Sequence, residues 1–186
     1  CTRGVFFAAV RSEGAGRPSV VLRSTDHGAT WRIAGTGFPA AAGRVTLAVH
    51  PDRTDTVYAV TQNGSLLRLR TDAAGNGAWR TVAWTPVPAQ AGVFVGTQGW
   101  YDLALTVDPS DVDTVFCGGS TLKVTNTGAP RGAGSATTDI WSSHIWRVRV
   151  RRTGGTLKAQ PVYIGATIHA DVHALAFPRG LPGQLW

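Results

Sequence analysis

Short runs rich in Val, Leu, Thr and aromatic residues, punctuated by Gly, Pro and Asp, set the pattern of this chain. No stretch spaces its apolar residues at the 3.6-residue period of an amphipathic helix, and the two-residue alternation of strands prevails instead. The pattern predicts strands at Val5–Val10, Val20–Ser24 and Thr30–Ala34. It predicts a second group at Val45–His50, Thr56–Thr61, Leu66–Thr71 and Trp79–Ala83. A third group falls at Leu103–Val107, Thr114–Gly118, Ile145–Arg151 and Leu157–Tyr163, and a last strand at Val172–Phe177.

Two kinds of hairpin alternate. Arg44–Val60 recurs as Asp102–Gly118 and, shortened, as His173–Trp186. Each copy starts as an apolar strand and runs into a Pro-containing turn, and each full copy goes on to a β-branched or aromatic strand. Between the copies lies a second hairpin, at Val20–Ile33, Leu66–Val82 and Ile145–Tyr163. One repeat therefore carries four short strands, which is the unit of a propeller blade. The expected fold is all-β, a β-propeller with four-stranded antiparallel blades. Residues 1–43 would form a partial blade, 44–101 a blade, 102–171 a blade carrying an insertion at 119–144, and 172–186 the start of the next. That makes about three blades where propellers have about four to eight. Further blades or self-association are needed to close the ring, and missing blades are the preferred reading.

Ser24-Thr25-Asp26-His27-Gly28-Ala29-Thr30-Trp31 matches the pattern Ser-x-Asp-x-Gly-x-Thr-Trp. It resembles the Asp-box (BNR) repeats of sialidases, xyloglucanase-like glycoside hydrolases and many non-enzymatic secreted propellers. A degenerate copy with two extra residues spans Asp72–Trp79, and at Thr153–Lys158 the Asp and Trp are gone. The box has a local logic. Asp26 can accept backbone N–H bonds within its own turn, Gly28 can take a positive φ, and Trp31 can bury its ring between sheets. The resemblance implies that the boxes join third and fourth strands on the face away from the ligand. Ser24, Asp26, Gly28, Thr30, Trp31 and Asp72 are therefore read as structural. The resemblance also implies a secreted or cell-surface location.

Strand direction then sorts the connections onto two ends. The Pro turns and boxes share one end. Gly35–Gly43, Thr85–Tyr101, Gly119–His144 and Ala166–Asp171 share the other, the channel mouth where a propeller usually takes its ligand. Two constellations fall there. Trp100, Tyr101 and Asp102 suit a sugar, whose C–H faces stack on aromatic rings while hydroxyls bond the carboxylate. The same aromatics can instead wedge between blades. His169, Asp171 and His173 alternate, so an extended strand would turn them to one face as a candidate divalent-metal site, such as zinc. A hydrogen-bonded cluster tying strand to loop is the competing reading. Further along, Trp146–Arg151 alternates three arginines with Trp146, Val148 and Val150, as in an anionic-glycan surface or a solvated strand near a blade edge.

Composition changes this picture little. The 186 residues are 43% hydrophobic, enough for a core. No apolar run reaches the length of a membrane helix, so no membrane span is expected. The net charge of +7 is almost all arginine, and without a clustered basic face it does not by itself imply a nucleic-acid partner. The chain contains no methionine and opens at Cys1, as expected of a piece of a longer protein. A processed lipoprotein with a lipidated Cys1 is the lesser reading. Cys1 and Cys117 have no metal or redox spacing and pair only if the fold brings them together.

Function divides into two main classes. A glycan- or protein-binding module needs only the mouth loops and ranks first. A glycoside hydrolase needs paired carboxylates, for which Asp102, Asp139 and Asp171 are the mouth-side candidates. The sialidase version lacks its Arg-Ile-Pro motif and has a single glutamate, Glu13, to assist a tyrosine nucleophile. A xyloglucanase-like pair of Asp residues stays open, and in either version the catalytic set would be completed by missing blades. A scaffold within a larger protein is a third class.

Overall fold

The computed structural model describes residues 4–12, 16–84, 98–119, 122–124, 140–142, 145–164, 171–178, 181 and 183–186, and every regular element among them is a strand. A three-stranded sheet comes first, with β1 (Phe6–Val10), β2 (Val20–Ser24) and β3 (Arg32–Ile33) in that order. The expected strand at Thr30–Ala34 is thus shorter than its pattern. Two antiparallel four-stranded meanders follow. One comprises β4 (Val45–His50), β5 (Arg53–Thr61), β6 (Leu66–Thr71) and β7 (Gly77–Trp84). The other comprises β8 (Leu103–Asp108), β9 (Asp111–Gly119), β12 (Ile145–Thr153) and β13 (Thr156–Tyr163). Between β9 and β12, β10 (Leu122–Val124) and β11 (Ile140–Ser142) pair as a short ribbon within the expected insertion.

The two meanders are not separate sheets. The β6–β7 ladder ends at Leu67 and Thr81, and β7 continues to Trp84. The backbone of Val82–Trp84 pairs in parallel with Leu157–Ala159 of β13 instead. This produces one eight-stranded sheet, ordered β4-β5-β6-β7-β13-β12-β9-β8. It is barrel-like and nearly closed, because its end strands β4 and β8 lie side by side, where the Thr46 hydroxyl donates to Leu103 O at 2.9 Å.

The sequence repeat is also a structural one. In both meanders the inner hairpin slips register at the same repeat position, between Val49 and His50 and between Val107 and Asp108. Such a bulge sharpens the local twist. The turn that follows is tied in the same way twice: His50 Nδ1 accepts Asp52 N–H at 3.1 Å, and Asp108 Oδ1 accepts Ser110 N–H at 2.8 Å. The third copy departs from expectation, for Val172–Phe177 forms no strand. A strand needs a paired neighbour, and here, among the described residues, only Ala176 and Trp186 exchange both backbone bonds, at 2.8 and 2.9 Å. Ala176 lies two residues before Pro178, as Val49 lies before Pro51 and Val107 before Pro109. Val49 and Val107 pair with Val57 and Val115, so the single Ala176–Trp186 pair falls at the same point of the repeat.

Burial follows strand alternation. One face of the first meander, with Val57, Ala59, Leu67, Leu69 and Trp79, packs with Val21 and Ala34 at the three-stranded sheet. Its other face, with Ala48, Tyr58, Val60, Leu66 and Val82, packs against Val115, Cys117, Trp146, Val148 and Val150 of the second meander. The far side of that meander receives Val172, Leu175 and Leu185 on Ala104 and Ile145, and Phe177 meets Phe116 edge-on at 5.3 Å. Each fully buried aliphatic side chain in these layers contributes about 1.5–3 kcal/mol. Cys117 is buried in the central layer, and burial pushes its thiol pKa up, so the group is inert. Cys1 lies outside the described residues.

Candidate functional site

The two ends of the sheets are built differently. At the turn end, Asp26 accepts Thr30 N–H on Oδ1 at 2.9 Å and the Thr30 hydroxyl on Oδ2 at 2.5 Å. Ser24 donates its hydroxyl to Asp26 Oδ1 at 2.7 Å and accepts Gly28 N–H at 2.9 Å. His27 and Gly28 both take positive φ, 59° and 92°. The Thr30 hydroxyl, the Thr30 N–H and the Ser24 hydroxyl together hold the Asp26 carboxyl far below the usual carboxylate range. Trp31 departs from expectation: it is 40% exposed, and its indole N–H donates to Gly28 O at 3.0 Å within the turn. The buried equivalent is Trp79, whose indole N–H reaches Ala34 O at 2.6 Å. Ser24, Asp26, Thr30 and Trp31 all bond to backbone or to each other within the turn.

The mouth end is different. Gln98 O accepts the N–H of Tyr101 at 2.7 Å and of Asp102 at 2.8 Å, closing a tight turn just before β8. Arg44, at the start of β4, donates from Nη1 to Trp100 O at 3.4 Å. This turn lifts Trp100 and Tyr101 into solvent, 61% and 48% exposed, with ring centroids 5.5 Å apart. They do not wedge between sheets. Asp102, directly after them, is completely buried. It does not offer its carboxylate to a sugar hydroxyl as expected. Its Oδ1 lies 3.1 Å from Nδ1 of His173, whose side chain is 50% exposed. Tyr101 also meets the His173 ring edge-on, at 4.8 Å and 81°.

The structure therefore joins the two sequence constellations through one residue. His173 stands between the exposed aromatic pair and a cleft of about 500 Å³ lined by Ile145, Ile164, Asp171, Val172 and Leu175. That volume is in the range of small-ligand sites. Asp171 is exposed at the cleft, while His169, its expected metal-ligand partner, lies outside the described residues, as do Asp139 and Glu13. Residues 171–178 are not a strand, so the alternation does not act there, and His173 turns Nδ1 to Asp102. Among the described residues no group of three His, Cys, Asp or Glu side chains is placed to hold a metal ion. The Asp102–His173 pair was not legible in sequence, because its partners are 71 positions apart and no local spacing signals it. The pair sets a half-exposed imidazole at ion-pair distance from a fully buried carboxylate, at the lip of the cleft.

The chain is similar in structure to the crystal structure of the intramolecular trans-sialidase from Ruminococcus gnavus in complex with oseltamivir carboxylate, at 14% identity with a TM-score of 0.48. The match covers 92% of this chain and 33% of that one, so the chain spans about a third of the structure it resembles. No family model matches the chain, and no curated protein matches it.

Proposed function

We propose that the chain is part of a secreted Asp-box β-propeller that binds a glycan at the mouth formed by Trp100, Tyr101, His173 and the adjoining cleft. The blade reading is supported by serial stacking. Equivalent positions of the two meanders, Val57 and Val115, Leu67 and Trp146, Leu69 and Val148, each face the group of strands that precedes them in the chain. The box reading is supported by the Ser24–Trp31 bonding and by Asp72, which accepts Asn76 N–H at 2.8 Å as Asp26 accepts Thr30.

The single observation that carries glycan binding is the exposed Trp100–Tyr101 pair beside the half-exposed His173 imidazole at the lip of a cleft. Apolar ring faces suit the C–H face of a pyranose, and His173 Nε2 is the polar group that orients it. An array of glycans followed by calorimetry on the best ligand tests this. Trp100→Ala is expected to weaken binding about tenfold or more, as for an exposed aromatic anchor, while Trp31→Ala at the opposite end leaves affinity unchanged. Absence of any glycan ligand, or equal binding by the Trp100 variant, overturns the reading.

One observation favours a second reading, a glycoside hydrolase completed by further blades. A histidine 3.1 Å from a buried carboxylate is a candidate general base or acid, with the paired carboxylates of a glycoside hydrolase left to the further blades. If turnover of a glycoside is found, His173→Ala should reduce kcat by orders of magnitude with the fold intact. A binding module has no turnover to lose.

A further inference from the structure

A second concavity lies at the opposite end of the sheets. It measures about 360 Å³ and is lined by Arg68, Arg70, Asp113, Arg149, Arg151 and Arg152, five guanidiniums around one carboxylate. Arg68 is buried and donates from Nη1 to Asp113 Oδ1 at 2.7 Å, which fixes the floor of the cleft. The other four arginines are exposed around it. Arg151 Nε donates to Gln160 Oε1 at 2.9 Å, and Arg149 Nε lies 3.8 Å from Asp111 Oδ2. These contacts orient the side chains and neutralise only part of the charge. Arginine does not deprotonate in proteins, so the crowding cannot be relieved by losing a proton.

Blocking of strand edges does not account for the cluster. β6 lies between β5 and β7, and β12 lies between β9 and β13, so neither strand is an edge. Anion chemistry does account for it, since the planar guanidinium fork matches a carboxylate or sulfate with two parallel hydrogen bonds. We propose that this cleft binds the sulfate or carboxylate groups of an acidic glycan. The cleft is compact, whereas duplex DNA needs a track of phosphate contacts. Among the described residues no aromatic side chain lines it, whereas single-stranded nucleic acid calls for stacking platforms. The site shares no residue with the mouth, so it stands whether or not the mouth takes a glycan.

The test uses the full chain at fixed ionic strength, with dextran sulfate, unsulfated dextran, inorganic sulfate and duplex DNA as probes. The double variant Arg70→Ser/Arg152→Ser is compared with the charge-matched Arg11→Ser/Arg32→Ser, whose residues are exposed at the first sheet. Far-UV spectra of both are expected to match the parent. Dextran sulfate should bind, unsulfated dextran should not, and the Arg70/Arg152 pair should weaken the complex about tenfold or more, given the strength of hydrogen bonds to charged groups. The control pair should change it less than about twofold, as for charges screened at a distance. Equal weakening by both pairs would mean general charge attraction and would overturn the site. DNA binding as tightly as dextran sulfate, or inorganic sulfate binding as tightly as the polymer, would overturn the glycan as its occupant.

Discussion

Asp26 and Asp72 meet one local need with different partners. In each turn the carboxylate accepts the backbone N–H four residues on, and its second oxygen takes that residue's side chain: the Thr30 hydroxyl in one, Asn76 Nδ2 at 3.4 Å in the other. Both carboxyls titrate below their ordinary value for this reason, Asp72 mainly through the Asn76 N–H. A depressed carboxyl stabilises the fold fully above the unfolded aspartate value of about 3.9, and the contribution fades as pH falls below it toward the folded value. Asp26→Asn is therefore expected to lower the thermal midpoint at pH 7. It should also flatten the fall in midpoint that the parent shows on acidification below about pH 4. Thermal melts of both proteins across that range would show it, and parallel curves would contradict it. The Asp26 turn was legible in the sequence because all its bonds close within four residues. Trp31 was not, since ring burial depends on which sheet arrives above it. Asp102 was not legible as a buried residue, because its burial depends on the turn that Gln98 closes just before β8 and not on its own neighbours in sequence.

At the scale of the element, strand positions followed from alternation where both neighbours lie within the same repeat. Val45–His50 and Leu66–Thr71 have the bounds the pattern predicts, because each is paired along nearly its whole length. Val172–Phe177 carries the same pattern and is no strand, with one paired residue in place of a ladder. The third box, with its Asp lost, is replaced by a tighter solution. Gly154 and Gly155 take positive φ, 55° and 83°, between the paired Thr153 and Thr156, as a two-residue hairpin turn requires. Layering also grades the cost of substitution. Leu69 is fully buried between the first meander and the three-stranded sheet, and Leu69→Ala should destabilise the protein by about 2–5 kcal/mol. Val162→Ala, on the exposed side of β13, should stay within about 0.5 kcal/mol. Denaturant titrations of the two variants give both numbers, and similar losses at both sites would mean that the layers are not packed as described.

For the molecule as a whole, the three-stranded sheet packs on the first meander and the first meander on the second, and the two ends are built differently. Bonded turns and the arginine cleft occupy one end, and exposed aromatics with an oriented histidine occupy the other. The repeat made the strands of the two meanders readable, since the same positions recur in each copy. The joining of the two meanders through β7 and β13 was not readable, because it depends on how far β7 outruns its partner β6. The central claim is that Trp100 and its neighbours form the ligand surface. Seven tryptophans give separate indole N–H signals for a two-dimensional NMR titration with the best glycan from the array. The Trp100 signal, and the ring signals of Tyr101 and His173, are expected to shift with the ligand. Signals of Trp31 at the turn end and of the buried Trp79 should stay fixed. Shifts confined to tryptophans other than Trp100 would contradict the central claim.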